Sequence, residues 1–287
     1  MIMYRNSLGL VAGAVLVLMS AGAGSASAAS AVTCPGGSIP AGVYLSLKIA
    51  GACTIDAGSA GSVTVEGNLT ILSGGSLVAV YGGIAGSPAP SNLIVGGNLD
   101  MESGAILNLG CEPNYYQCPN DPSGESVIKE SVSGGGSYFT NDVIGGNLTA
   151  ESALAVVVHH TAIGGNVYMT AGGGGVYSCT EGLPQLGDSP PYGDFEDDVI
   201  GGSLSILGVQ TCWLGWFRDT VIGSVNFSAN LTGEPDGNEM GNNVVLGSLA
   251  CGGNSPLPQI GDSGAAPSTV LLVTAGQCAN QPGLVVQ

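Results

Sequence analysis

Ile144-Gly145-Gly146-Asn147-Leu148 and Ile163-Gly164-Gly165-Asn166-Val167 are two copies of the short pattern that decides the fold. The chain contains seven such copies, each with glycine before an Asn or Ser and with Leu or Val after it. Three positions after the Asn or Ser the residue is always non-polar, and the residue between is mostly polar, which is typical of a strand with one buried face. The other copies are Val65–Leu69, Val95–Leu99, Ile200–Leu204, Ile222–Val225 and Val245–Leu249.

The spacing of the copies predicts an all-β, single-domain parallel β-helix. Successive Asn or Ser positions lie 30, 49, 19, 37, 21 and 24 residues apart. The short intervals define a rung of roughly 20 residues, and the longer ones carry insertions. A unit this short cannot bury its own apolar face, so it has to stack on its neighbours. We expect the repeated Asn residues to form a hydrogen-bonded ladder along the axis, built from Asn68, Asn98, Asn147 and Asn166.

The repeat also predicts which side chains face the core. The glycine before each Asn is expected to supply a backbone conformation that a β-carbon would penalise. The third strand of the first complete rung leaves a second register open, with Leu77 and Ala79 inward. The pairs that we expect inward are Val63 with Val65, Leu69 with Ile71, and Val78 with Val80.

The N-terminal residues 1–29 have the pattern of a secretory signal peptide. Arg5 precedes an apolar stretch, and Ala26-Ser27-Ala28 is a small-residue cleavage site. The apolar stretch is too short to cross a membrane comfortably, and no second candidate follows it. We therefore expect a secreted, extracellular protein without a membrane span in its mature chain.

The mature chain divides into a cap and a solenoid. Residues 30–61 are expected to form an N-terminal cap, with Val43–Leu47 as its first strand. Residues 62–287 are expected to form the β-helix, with disulfide-tied loop insertions at 110–140, 171–195 and 232–237.

Eight cysteines follow the signal segment. An even number of cysteines in an exported chain favours disulfides. No Cys-x-x-Cys pair occurs, which argues against a zinc site. The sequence leaves several connectivities open, and the nearest-neighbour pairing is Cys34 with Cys53, Cys111 with Cys118, Cys179 with Cys212, and Cys251 with Cys278.

The charge balance restricts the partners. The chain has 21 acidic and 4 basic residues and a net charge of −17, so it should repel nucleic acid and anionic membranes. Its 44% hydrophobic content and regular alternation favour a packed solenoid over disorder. The remaining candidate partners are a polysaccharide, another surface protein, or a second copy that pairs at the open solenoid ends.

Several segments of the mature chain carry a further pattern, namely Cys34, Ile39–Tyr44, Cys53, Val63–Leu69, Leu249–Pro256 and Ala275–Cys278. With these segments the chain resembles a group of secreted proteins from high-GC Gram-positive bacteria, which carry the same Gly-Asn-Leu repeats and a closing Gly-Gln-Cys. The resemblance spans nearly the whole mature chain. It implies export and a β-helix-like fold, and it lends no catalytic residues.

Two sets of residues are candidates for ligand binding. Trp213, Trp216 and Phe217 form an aromatic group that could stack on sugars or a protein partner, and capping of the solenoid face is the structural alternative. Calcium is the one candidate ion, because it takes several oxygen ligands. The acids that would hold it lack the spaced order of a calcium loop, and a solvated acidic loop is the alternative; they are Asp188, Asp194, Glu196, Asp197 and Asp198.

Catalytic chemistry is poorly supported by the sequence. His159 and His160 are adjacent on a strand, so their side chains should face opposite sides and not converge on one ion. A lyase needs a positioned base, and a glycoside hydrolase needs paired carboxylates with basic companions. The best remaining group is Asp197 with Asp198 and Arg218, where one rung of offset would place Asp198 beside Arg218.

We therefore expect no catalytic residue. The expected function is that of a secreted, non-enzymatic structural or adhesive β-solenoid of the cell surface or extracellular matrix. The alternative is a β-helix that binds or degrades polysaccharide with its loop face, since fold alone does not decide function.

Overall fold

The chain is all-β, and its strands stack into long parallel sheets, as in a β-helix. The computed structural model describes residues 29–55, 62–80, 93–110, 142–176, 179–261, 265–279 and 285–286. No helix within these ranges is long and apolar enough to cross a membrane.

Each rung, meaning one turn of the chain, adds strands to three parallel columns. The first column contains Val63–Val65, Leu93–Val95, Asp142–Ile144, Thr161–Ile163, Val199–Ile200, Thr220–Val221, Val244–Val245, Thr269–Val270 and Val285–Val286. The second contains Ser30–Cys34, Leu69–Ile71, Leu99–Met101, Leu148–Glu151, Val167–Thr170, Leu204–Leu207, Val225–Ser228, Leu249–Gly252 and Thr274–Gly276. The third contains Gly37–Ser38, Ala52–Thr54, Ser76–Val80, Ile106–Gly110, Ala155–His159, Tyr192–Glu196, Trp213–Phe217, Asn238–Gly241 and Gln259–Ile260.

The N-terminal strand Gly42–Ile49 joins the first two columns. Its first half pairs with Val63–Val65 and its second half with Leu69–Ile71. Ser30–Cys34 pairs with it from the other side and precedes it in the chain, so the strand expected to come first, Val43–Leu47, is not the first. A short additional ladder joins Gln210–Thr211 to Leu231–Thr232. A 3-10 helix, Pro184–Leu186, lies in the loop that covers part of the third column.

The residue after each Asn or Ser faces the core, as predicted. These side chains are fully or almost fully buried and pair with one another from rung to rung in unbroken register. Burial of such a column away from water is the main stabilising contribution of the fold. The column consists of Leu69, Leu99, Leu148, Val167, Leu204, Val225 and Leu249.

The third strand of the first complete rung has the opposite register to the one expected. Leu77 and Ala79 are fully buried in the main core, whereas Val80 is only partly buried. The pairing of Val78 with Val80 as inward residues was therefore wrong. The turn at Gly74 and Gly75 sets the phase of the strand, and a shift of one residue exchanges its two faces.

The corner between the first and second columns contains the predicted Asn ladder. Asn68 Oδ1 accepts the backbone N–H of Asn98 at 2.9 Å, and Asn98 Oδ1 accepts that of Asn147 at 2.9 Å. Asn147 repeats the contact with Asn166 at 2.8 Å, and Asn166 with Ser203 at 2.9 Å. These bonds satisfy backbone donors at a corner where the strands are interrupted.

The glycine before each Asn is required by close approach. A β-carbon at Gly97 would collide with Asn68 Oδ1, and one at Gly146 would collide with Asn98 Oδ1. Neither glycine has the positive φ found at Gly74 or Gly104. The expected reason, a penalised backbone conformation, was therefore wrong, and the side chain of the preceding rung is the obstacle.

A second ladder lies at the corner between the second and third columns. Asn230 Oδ1 accepts the N–H of Val209 at 3.1 Å, and Asn254 Oδ1 accepts that of Asn230 at 3.0 Å. Gln277 Oε1 continues the row by accepting the N–H of Asn254 at 2.8 Å. The amide side chains thus connect rungs near the C-terminal end, where Ser replaces Asn at the first corner.

Three of the expected disulfides are formed. They join Cys34 to Cys53, Cys179 to Cys212, and Cys251 to Cys278. Disulfides of this kind form in an oxidising compartment. The fourth expected pair, Cys111 with Cys118, lies outside the described residues.

The three predicted insertions differ in how they relate to the described strands. The range 110–140 lies outside the described residues except for Gly110, as does the signal segment 1–29 except for Ala29. The range 171–195 overlaps Tyr192–Glu196, which is a strand of the third column, so the loop itself ends before Tyr192. The range 232–237 leads into the strand Asn238–Gly241.

Candidate functional site

The outer face of the third column brings charged side chains from neighbouring rungs together. Ala155–His159 pairs with Tyr192–Glu196 so that His159 is opposite Glu196. Side chains alternate along a strand. Phe195 accordingly faces the core, and Asp194 and Glu196 face outward on either side of it.

His159 and Asp194 form the first pair of this charge cluster. His159 Nε2 lies 3.1 Å from Asp194 Oδ2, and both side chains are buried. The other carboxylate oxygen, Asp194 Oδ1, is buried with no hydrogen-bond partner in the described structure. Asp197 Oδ2, in the same cluster, is also buried without a partner in the described structure. A buried oxygen without a partner costs free energy, so these two atoms are the unsatisfied part of the cluster.

Arg218 connects two rungs. Its Nη2 donates to Glu196 Oε2 at 2.6 Å, and its Nε donates to Asp197 Oδ1 at 2.9 Å. The guanidinium also lies 5.9 Å from the centre of the Phe217 ring, a cation–π contact. Arg218 is only 4% exposed, so these bonds compensate for a nearly complete loss of hydration.

Burial raises the pKa of the acids in the cluster. Desolvation raises the pKa of Asp194 well above its usual value, with repulsion from Glu196 as the next cause and attraction to Arg218 in opposition. Desolvation likewise raises the pKa of Asp197 to about 6, against the attraction and hydrogen bond of Arg218. The two shifts have the same origin, which is several carboxylates held near one guanidinium away from water.

An aromatic pair lies on the outer face beside the cluster. The Trp213 and Phe217 rings are stacked with centroids 6.0 Å apart and planes 7° apart. A β-carbon at Gly215, between them, would collide with the Trp213 ring, so this glycine makes the stacking possible. Trp213 is half-buried, and Tyr192 meets its edge at 6.2 Å.

Trp216 does not belong to this aromatic surface. It is fully buried in the main core, on the opposite side of its strand from Trp213 and Phe217. The three rings proposed to bind a ligand therefore do not act together, because adjacent residues of a strand face opposite sides.

The five acids proposed to hold calcium do not converge either. Asp188 is exposed, beyond the 3-10 helix of the loop. Asp197 is bound to Arg218, and Asp198 turns into a corner where it accepts the N–H of Thr161 at 2.8 Å. Asp194 and Glu196 remain, together with a residue that the calcium prediction did not include.

That residue is His159. One possible ligand atom from each of His159, Asp194 and Glu196 lies within 4.8 Å of the others, so these three could hold a metal ion together. His160 is not a member of this group. The sequence separates His159 from Asp194 by 35 residues, and only the pairing of their strands brings them together.

The expected contact between Asp198 and Arg218 was wrong by one position. Asp197 occupies the place beside Arg218, whereas Asp198 donates its N–H to Asp219 Oδ1 at 2.9 Å. Val199 pairs with Thr220, and the same register places Asp197 beside Arg218 and Asp198 beside Asp219.

Asp198 and Asp219 belong to a third ladder, at the corner between the third and first columns. Asn243 Oδ1 accepts the N–H of Asp219 at 2.9 Å, and Asp142 Oδ1 accepts that of Leu93 at 2.6 Å. The second carboxylate oxygens of Asp142, Asp198 and Asp219 are buried and have no partner in the described structure. Burial raises the pKa of all three carboxyls well above its usual value.

No family model, curated protein or solved structure matches the chain. The chemistry of the molecule is therefore inferred from the charge cluster, the aromatic pair and the three corner ladders.

Proposed function

We propose that the protein is a secreted, non-enzymatic β-solenoid with a structural or adhesive role at the cell surface or in the extracellular matrix. It is a single domain with rungs of roughly 20 residues. The signal-like segment 1–29, three disulfides and the resemblance to exported Gly-Asn-Leu-repeat proteins support this assignment.

The observation that carries the proposal is that the charged side chains of the cluster are bonded to one another across neighbouring rungs. A catalyst presents a base and a charge-stabilising group to its substrate at one place. Here Arg218 is buried and bonded to Glu196 and Asp197, and His159 is buried against Asp194. These contacts connect neighbouring rungs, as the corner ladders do, and they favour a mechanical purpose.

The experiment combines an activity screen with a retention assay. Purified mature protein is incubated with pectate, alginate, xylan and peptidoglycan in millimolar calcium, and new reducing ends are measured. The expected result is no release, together with retention of the protein on isolated cell envelopes or matrix. Release that disappears in folded Glu196→Gln protein would show that the non-enzymatic proposal is wrong.

A polysaccharide-binding function is the second candidate, and the aromatic pair favours it. Trp213 is half-buried and is stacked on Phe217, which pairs with Glu196, an arrangement suited to sugar rings. Glycan-array binding that is lost in Trp213→Ala would support it. Tyr168→Ala is the matched control, since Tyr168 is an aromatic residue 41% exposed on the second column.

A further inference from the structure

We propose that His159, Asp194 and Glu196 form a binding site for a divalent transition-metal cation of the zinc class, which cross-links two neighbouring rungs. His159 is on one strand of the third column, and the two acids are on the next. Their ligand atoms already lie within 4.8 Å of one another. The site does not depend on the proposed structural role and would be tested without any activity assay.

The unpartnered oxygen of Asp194 is the observation that points to a ligand. Asp194 is 6% exposed, its Oδ2 contacts His159 Nε2, and its Oδ1 has no partner in the described structure. A buried polar atom without a partner calls for an explanation, and a bound ion is one that fits beside His159 and Glu196. A cation bound between Asp194 and Glu196 supplies that missing interaction.

The local charge also favours a cation. Burial is the largest cause of the raised pKa of Asp194, repulsion from Glu196, Asp197 and Glu239 adds to it, and attraction to Arg218 opposes it. Four carboxyl groups are thus held near one guanidinium, and a doubly charged ion reduces the repulsion among them. Arg218 bonds to Oε2 of Glu196, so the carboxylate that would bind the ion is also paired with a cation.

The imidazole decides the class of metal. Calcium and magnesium prefer oxygen ligands alone, whereas imidazole suits zinc and its first-row neighbours. Zinc binds His nitrogen and carboxylate oxygen at about 2.0–2.2 Å in tetrahedral geometry, so two ligands of one ion lie about 3.4 Å apart. The ligand atoms that are farthest apart therefore need to close by at most about 1.4 Å, and Glu196 has room to do so because its side chain is 16% exposed.

The first test is a calorimetric titration of the chelator-treated, untagged mature protein with zinc, manganese or calcium chloride. We expect one equivalent of zinc to bind and the melting temperature to rise. His159→Gln and Asp194→Asn should each weaken zinc binding by at least about tenfold, since even the loss of an outer partner costs that much. His160→Gln and Glu66→Gln are matched controls that should bind as the wild type does, because His160 is outside the group and Glu66 is exposed on another corner.

A second measurement uses the wild-type protein alone and covers the case in which a variant does not fold. The chain has only 2 histidines, so NMR spectra of the imidazole protons contain two sets of signals. One equivalent of manganese should broaden the His159 set first, with His160→Gln providing the assignment. The proposal is overturned by no stoichiometric zinc binding, by equal broadening of both sets, by equal affinity in all variants, or by binding of calcium in preference to zinc.

Discussion

Asp197 and Arg218 occupy the same corner position on consecutive rungs, and both have a left-handed backbone, with φ of 58° and 59°. The Nε of Arg218 donates to Oδ1 of Asp197 at 2.9 Å. Non-glycine residues avoid this conformation at a cost of about 1 kcal/mol or more, so the corner needs other interactions to hold it. The ion pair between the two residues is one of them.

Replacement of Arg218 by alanine should destabilise the fold strongly. It leaves the half-buried Glu196 and the buried Asp197 without their cation, and such a loss costs about 3–5 kcal/mol. Urea unfolding followed by circular dichroism measures the change. Lys48→Ala is the control, because Lys48 is exposed and should alter the free energy of unfolding by less than about 0.5 kcal/mol. Equal effects of the two substitutions would contradict the assigned role of Arg218.

Asp219→Asn should stabilise the protein at neutral pH. Burial raises the pKa of Asp219 well above 3.8, and its Oδ2 has no partner. Asn243 shows what an amide does at this corner, since its Nδ2 donates to the carbonyl of Trp216 at 2.9 Å. An amide at position 219 can make the equivalent bond to Phe195, the residue that pairs with Trp216, so we expect a gain of about 1–3 kcal/mol.

The gain at Asp219 should depend on pH in a defined direction. The folded state holds the proton to higher pH than the unfolded state, so the contribution of Asp219 to stability is complete below about pH 4 and decreases as the pH rises toward the folded pKa. The difference between Asp219→Asn and wild type should therefore be small at pH 3 and grow toward pH 7. Asn243→Asp should show the opposite sign, and a difference independent of pH would refute the explanation.

Gly146→Ala should destabilise the solenoid by collision. The added β-carbon would meet Asn98 Oδ1 and the backbone of Gly97, and relief of such crowding costs about 1–3 kcal/mol. Gly252→Ala is the matched control, since its β-carbon would meet only Ser228 Oγ at 3.9 Å. Thermal unfolding of both variants provides the comparison, and equal melting temperatures would exclude the close-approach explanation.

The secreted protein should contain no free thiol. The described residues contain three disulfides and no free cysteine, and Cys111 and Cys118 complete the count of 8. Thiol titration in denaturant should therefore give a value near zero. Two or more thiols per chain would show that the pairing of Cys111 with Cys118 is wrong.

The first two columns were predictable because their signal is local. The glycine, the Asn and the following Leu are adjacent in the sequence, and one copy such as Gly146–Leu148 specifies the bend, the ladder and the buried position together. The third column has no such marker, so the register of Leu77 could not be chosen from alternation alone. If the turn before this strand were one residue longer or shorter, the strand would bury its other face, although the alternation of its residues would be the same.

The charge cluster could not be predicted because it depends on register across insertions. His159 and Asp194 come together only when the loop before Tyr192 has been assigned its length. The same uncertainty of one residue separates Asp197, which contacts Arg218, from Asp198, which does not. The prediction that the aromatic residues act together was wrong for a related reason, since Trp213 and Trp216 lie on opposite faces of their strand.

The disulfides near the two ends should change where unfolding of the molecule starts. Cys34–Cys53 connects the first two described rungs, and Cys251–Cys278 connects two of the last. In a linear array each rung is stabilised only by its neighbours, so unfolding normally starts at a terminal rung and continues inward rung by rung. Covalent links near both ends hold the linked rungs to their neighbours. Under tension or heat the protein with intact disulfides should therefore unfold first at its interior rungs, whereas the reduced protein should unfold first at its terminal rungs.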